Sequence, residues 1–117
     1  MPTPQPFTIN KPWGEFRQYT QGGEPVTVKT ISVKNGGALS LQFHSKRTEF
    51  WRVLSGNPTV TVGDQTMRAK AGDEFTILPK AIHRIAAENG DAEILEIARG
   101  DFDENDIVRV EDIYGRA

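Results

Sequence analysis

Turn residues punctuate this chain at short and nearly regular intervals. Gly, Asn, Asp and Pro clusters fall at residues 21–23, 35–37, 56–58, 63–64, 71–73, 79–81 and 88–91. The runs between them are short and rich in Val, Ile, Thr, Phe and Leu. No run sustains a helical period over the first hundred residues. Segments this short suit β-strands, and the connections are too brief for a helical crossover between parallel strands. The pattern therefore predicts an all-β, antiparallel sandwich or barrel with eight to ten strands, one roughly every ten residues. With 117 residues the chain supports one hydrophobic core.

The expected strands cover residues 15–20, 25–34, 38–44, 49–55, 59–62, 65–70, 74–78, 82–87 and 92–98. In the second, Val26 and Val28 alternate in one phase and Ile31 and Val33 in the other, which predicts a bulge. Residues 1–10, with three of the seven prolines, read as an extended arm, leaving 11–117 as the domain. Lys11-Pro12-Trp13-Gly14 reads as a turn whose tryptophan packs on the barrel. The tail, 101–117, is acidic and less regular, with a last strand or short helix over 106–110.

Several function classes drop out on composition. A net charge of −2, from 14 basic and 16 acidic residues, lacks the basic excess of a nucleic-acid-binding domain. No apolar run approaches the ~20 residues of a membrane-spanning helix, and the N-terminus lacks the pattern of a signal peptide. The absence of cysteine removes disulfides and thiolate metal sites and fits a cytoplasmic location. Any metal must be held by nitrogen and oxygen.

Within residues 42–51 the chain offers such ligands. Gln42 and His44 lie two apart, on one face of a strand, and Glu49 follows after a short polar break. The only other histidine is His83. Two imidazoles, a carboxylate and an amide oxygen form a set suited to Zn²⁺, Mn²⁺, Co²⁺, Ni²⁺ or Fe²⁺, with positions left for water or substrate.

The spacing of Gly36, Gln42, His44, Glu49 and Gly56 resembles the first cupin motif, with Gln42 where most cupins have a histidine. The interval from Gly72 to His83 resembles the second, although Leu78, Pro79 and Lys80 depart from its usual interior. The resemblance implies a single-domain jelly-roll barrel in which Gln42, His44, Glu49 and His83 ligate a divalent metal.

Lys11-Pro12-Trp13-Gly14, Val28-Lys29, Leu39-Ser40-Leu41-Gln42-Phe43-His44, Arg47-Thr48-Glu49-Phe50-Trp51 and the segment 106–116 are similar to the C-terminal cupin domain of type II phosphomannose isomerases. That resemblance implies interconversion of mannose 6-phosphate and fructose 6-phosphate through a cis-enediolate. Such chemistry needs an electrophile at the carbonyl, a base working between C1 and C2, and cations for the phosphate. The metal ligands supply the first. Lys29 or a metal-bound hydroxide are candidates for the base. Arg47, Arg109 and Arg116 lie in matching segments as candidates for substrate and phosphate contact, with Lys46 and Arg84 as further cations.

In the resembled family the domain often follows a guanylyltransferase domain; no Gly-rich nucleotide loop occurs in this chain, which excludes nucleotidyl transfer for it. The family's first motif is also richer in histidine, where this chain has Ser45, Lys46 and Phe50. Two other functions therefore stay open: a non-catalytic cupin that binds a sugar phosphate, and a metal-dependent cupin of other chemistry, such as a dioxygenase or epimerase. Cupins often pair edge strands, which leads us to expect a homodimer.

Overall fold

The computed structural model describes residues 5–21, 24–100 and 105–116. The first four residues of the expected arm, Gly22 and Gly23 of the first turn, and residues 101–104 and 117 of the tail lie outside the described residues. Eleven strands run in chain order: β1 Phe7–Lys11, β2 Gly14–Gln18, β3 Val26–Val33, β4 Leu41–Phe43, β5 Arg47–Ser55, β6 Thr59–Val62, β7 Gln65–Arg68, β8 Glu74–Ile77, β9 His83–Ala86, β10 Ala92–Gly100 and β11 Val108–Glu111. They form two sheets, ordered β1-β2-β3-β10-β5-β8 and β11-β4-β9-β6-β7, with every pairing antiparallel. The all-β, antiparallel expectation holds. No helix among the described residues is long and apolar enough to cross a membrane.

One local expectation, the bulge in the second strand, is corrected. Residues 7–10 of the expected extended arm form β1 together with Lys11, and β1 pairs with β2 across the two-residue turn Pro12-Trp13. The first four residues of β1 are exposed on both faces, so the sequence carries no inward–outward alternation to mark it. Trp13 in that turn is buried in the core, as its size suggested. The change of phase in β3 is not a bulge. Its pairing with β10 is regular, and Thr27, Lys29, Ile31 and Val33 all face inward. The apparent shift arises because the inward face is polar at one end and apolar at the other. The irregularity lies instead between β10 and β5, at Glu93/Ile94. Of the two alternatives expected over 106–110, the strand is the one observed: β11 starts at Val108 and pairs with β4.

The inward face of the larger sheet is layered by register. Ile94 stands between Ile31 and Val53; Glu96 stands between Lys29 and Trp51; Ala98 stands between Thr27 and Glu49. The first of these layers joins Val33, Val60, Ile77 and Ile85 in the apolar core, and Trp51 packs there as well. Burying side chains of this size contributes roughly 1.5–3 kcal/mol each. The other two layers carry charge into the interior. The barrel is therefore an apolar plug at one end and a polar chamber at the other.

One loop adjusts the chamber wall. Lys80, in the connection between β8 and β9, has φ +70°, and its N–H donates to the His44 carbonyl over 2.6 Å. The left-handed conformation costs a residue with a Cβ about 1–2 kcal/mol, a strain that glycine would not carry. Lys80→Gly should preserve the hydrogen bond and remove that strain. After the larger backbone entropy of glycine is offset, the gain should be about 0.5–1 kcal/mol by denaturant unfolding. A loss of stability would contradict the strained-turn account.

Candidate metal centre

Three strands and one turn meet around Glu49. Strand β5 alternates Arg47, Glu49, Trp51 and Val53 inward and turns Thr48, Phe50 and Arg52 outward. Strand β4 leads into His44, and β9 opens with His83, whose backbone pairs with both Gln42 and Val62. The coordinating atoms of His44, Glu49 and His83 all lie within 4.8 Å of one another, and all three residues are buried.

Both imidazoles have a fixed tautomer. His44 Nδ1 lies 2.7 Å from the Asp106 carbonyl oxygen, and His83 Nδ1 lies 2.9 Å from that of Ala81. A carbonyl oxygen only accepts, so each Nδ1 carries its proton and each Nε2 turns toward Glu49. Holding a ligating histidine through its far nitrogen is the usual way to aim it at a metal. Asp106 does more than accept. Its carboxylate receives the backbone N–H groups of Ser45 and Lys46, which pins the turn before β5 and draws the carboxyl below its ordinary range.

Glu49 has two unlike sides. Its Oε1 faces His83 Nε2 at 3.3 Å, and neither atom has a hydrogen-bond partner. Its Oε2 lies 3.6 Å from His44 Nε2 and accepts from Arg47 Nε at 3.0 Å. Arg47 Nη2 stands 3.0 Å from His44 Nε2, to which it donates. Burial pushes the Glu49 carboxyl up, but His83, Arg47 and His44 outweigh burial and hold it at about 2. Burial also lowers the His44 imidazole, against the pull of Glu49, which favours its neutral form.

This donor set fits a divalent ion. Ligands about 2.0–2.2 Å from one ion lie some 3–4 Å from each other, as the Glu49–imidazole distances do. Glu49 Oε1 and His83 Nε2 are buried 3.3 Å apart with no hydrogen-bond partner, a gap that a shared cation would fill. Among the described residues this is the one group of three or more such side chains placed to hold a metal. Gln42 lies in the same chamber, its Oε1 accepting from Ser40 Oγ at 2.8 Å.

The chamber wall also brings together Lys29, Arg47, Arg109 and Arg116, with Lys11 and Glu96. Arg116 is already engaged, donating from its backbone, Nε and Nη2 to Asp112 and holding that carboxyl at about 2. Of the further cations, Arg84 is a structural tie from β9 to the Leu39 carbonyl and to Glu111, and Lys46 is exposed in the turn. Neither lines the chamber. Ser45 is exposed and Phe50 sits on the outer face of β5, so the positions where the resembled family has extra histidines also lie outside the chamber wall.

Glu96 is the residue that sequence reasoning missed. It is buried, accepts from Trp51 Nε1 at 3.1 Å, and lies 3.8 Å from Lys29 Nζ, which is placed over the Phe16 ring. Burial and the charge of Glu49 push its carboxyl up, against the opposing pull of Lys29, Trp51 and Arg47. The signal in the sequence was its inward register in β10, between Ile94 and Ala98.

Comparison with known proteins decides the family. The model of the mannose-6-phosphate isomerase C-terminal family matches residues 4–112. The chain belongs to that family. Its relatives include the alginate biosynthesis protein AlgA of Pseudomonas aeruginosa, 39% identical over 110 residues, or 92% of this chain and 23% of AlgA. The xanthan biosynthesis protein XanB of Xanthomonas campestris is 38% identical, across 92% of this chain and 23% of XanB. Mannose-1-phosphate guanylyltransferase 2 of Escherichia coli O157:H7 is 39% identical, across 91% and 22%. This family member thus spans less than a quarter of the length of these relatives.

Solved structures bear out the cupin fold. A cupin-2 domain from Rhodospirillum rubrum superposes with a TM-score of 0.73 at 17% identity, covering 91% of this chain and 81% of that one. The nucleoside dehydratase Pac13 superposes with a TM-score of 0.76 at 24% identity, covering 93% and 88%.

The tautomers can be checked directly. In long-range ¹H–¹⁵N spectra of the metal-free protein, His44 should carry its proton on Nδ1 and remain neutral down to a pH below its ordinary value of about 6.5. A His44 pKa above 6.5, or a proton on Nε2, would contradict the ligand geometry.

Proposed function

We propose that this domain interconverts mannose 6-phosphate and fructose 6-phosphate with the help of a divalent metal. The observation that carries this reading is a chamber whose wall holds His44 and Glu49 of the metal-fit triad together with the cations Lys29, Arg47 and Arg109 and the buried carboxyl of Glu96. His44, Glu49 and His83 would hold the ion, with Gln42 as a candidate fourth ligand through its amide oxygen. When bound, the metal supplies an electrophile for the sugar carbonyl and the adjacent hydroxyl.

The remaining work falls to side chains of the chamber. Arg109, on β11 opposite Gln42, lines the chamber and would receive the phosphate, since a planar guanidinium suits two phosphate oxygens at once. Arg116 keeps its Asp112 partner and contributes to that end of the chamber mainly as a neutralised pair. The Lys29–Glu96 pair is the candidate proton carrier. A carboxyl raised by burial holds a proton more readily than an ordinary one, and Lys29 and Trp51 hold it in place. The proton leaves C2 of mannose 6-phosphate for Glu96 and returns to C1, while the hydroxyl and carbonyl exchange places.

That reading also draws on the mannose-6-phosphate isomerase C-terminal family, whose members here include an alginate biosynthesis protein and a mannose-1-phosphate guanylyltransferase, each matched by this chain over one part. A coupled assay on mannose 6-phosphate tests it. Metal-supplemented protein should turn over, and a chelator should abolish turnover in a way that added metal restores. Metal-loaded protein without turnover would overturn the isomerase. Glu96→Gln should lower kcat by about 10²-fold or more with little change in KM, the loss expected for one acid–base group. An unchanged kcat would remove Glu96 from the mechanism.

A further inference from the structure

The two sides of Glu49 are not equivalent, and the difference concerns Arg47. On the His83 side, Oε1 and Nε2 face each other with no donor between them. On the His44 side, the guanidinium spans the gap, with Nε 3.0 Å from Glu49 Oε2 and Nη2 3.0 Å from His44 Nε2. An imidazole nitrogen has one in-plane lone pair. His44 Nδ1 is committed as a donor to the Asp106 carbonyl, so Nε2 is the only atom of that ring with a lone pair to give. It serves Arg47 or a metal ion, and not both.

Arg47 cannot yield by losing a proton, because a guanidinium stays charged in proteins. It cannot share the space with a dication either. Arg47, Glu49 and His44 are all buried, and at such short range their charges interact with little screening by salt. We propose that Arg47 is a resident cation of this centre, which competes with a divalent metal for Glu49 Oε2 and His44 Nε2, so that metal enters as the guanidinium withdraws. Withdrawal has somewhere to go. Arg47 is the first residue of β5, beside the Ser45-Lys46 turn, and its side chain lines the chamber. The proposal rests on the reading of His44, Glu49 and His83 as a metal centre.

The opposite role makes the opposite prediction. A residue that only orients the ligands strengthens metal binding, and its removal weakens affinity by about 10–100-fold. A competitor weakens metal binding, and its removal strengthens affinity.

Calorimetric titration of the metal-free protein with Zn²⁺ and with Ni²⁺, each against a competing chelator, separates the two. Arg47→Ala should bind both ions at least about tenfold more tightly than the unmodified protein, by loss of the coupled competitor. Arg47→Lys keeps the charge but offers one ammonium where the fork spans two acceptors, and should fall between them. Should Arg47→Ala fold poorly without metal, its unfolding midpoint is read with and without Zn²⁺, and the metal should raise it by more than it raises the midpoint of the unmodified protein. Equal or weaker affinity in Arg47→Ala overturns the competition while leaving the metal centre standing. Absence of binding in the unmodified protein and in both variants overturns the centre and the competition together.

Discussion

A carboxylate sealed inside a barrel wall must be surrounded by positive or proton-donating groups, and Glu49 sets that requirement here. It projects from the middle of the larger sheet, between Arg47 and Trp51, and is 2% exposed. An isolated buried carboxylate would neutralise itself by taking up a proton. This one stays ionised, its carboxyl held at about 2, with the Arg47 guanidinium donating to Oε2 and the His83 ring facing Oε1. The rest of the site follows from supplying those partners. Strand β4 delivers His44, β9 delivers His83, and the first residue of β5 delivers Arg47.

The C-terminal segment is part of the same construction rather than an appendage. Asp106 fixes the His44 ring through its carbonyl and the turn before β5 through its carboxylate. Beyond it, β11 pairs with β4 and places Arg109 opposite Gln42, while the Tyr114 hydroxyl accepts from the Ala38 N–H. These ties explain physically why the segment 106–116 carries a motif at all: its residues hold one wall of the chamber. On the opposite wall, Lys29 and Glu96 balance each other's charge.

Much of this was legible in the residues. The spacing of turns marked nine of the eleven strands, β2 to β10, because strands of this length leave little room between Gly, Asn, Asp and Pro clusters. The ligand group His44, Glu49 and His83 was legible because the chain has two histidines and both fall at motif positions. Three things were not. Strand β1 was hidden because nearly all its side chains are solvated, so no pattern marks it. The inward Lys29 and Thr27 of β3 read as a break in alternation, since a polar interior and a bulge leave the same trace in sequence. Glu96 resembled any charged residue of an edge-facing strand until the register set it between Lys29 and Trp51. The arginines illustrate the remaining gap. Sequence similarity treats Arg47, Arg109 and Arg116 alike, whereas Arg116 is tied to Asp112 and Arg47 lies against the triad.

The buried donor set of His44, Glu49 and His83 points to a divalent metal centre. Elemental analysis of protein purified without chelator tests it most directly, with His44→Ala, Glu49→Ala, His83→Ala and Gln42→Ala prepared in parallel. The account predicts about one divalent ion per chain, lost when any residue of the triad is changed. Metal content unaffected by His83→Ala, or no metal bound in the unmodified protein even after supplementation, would contradict it.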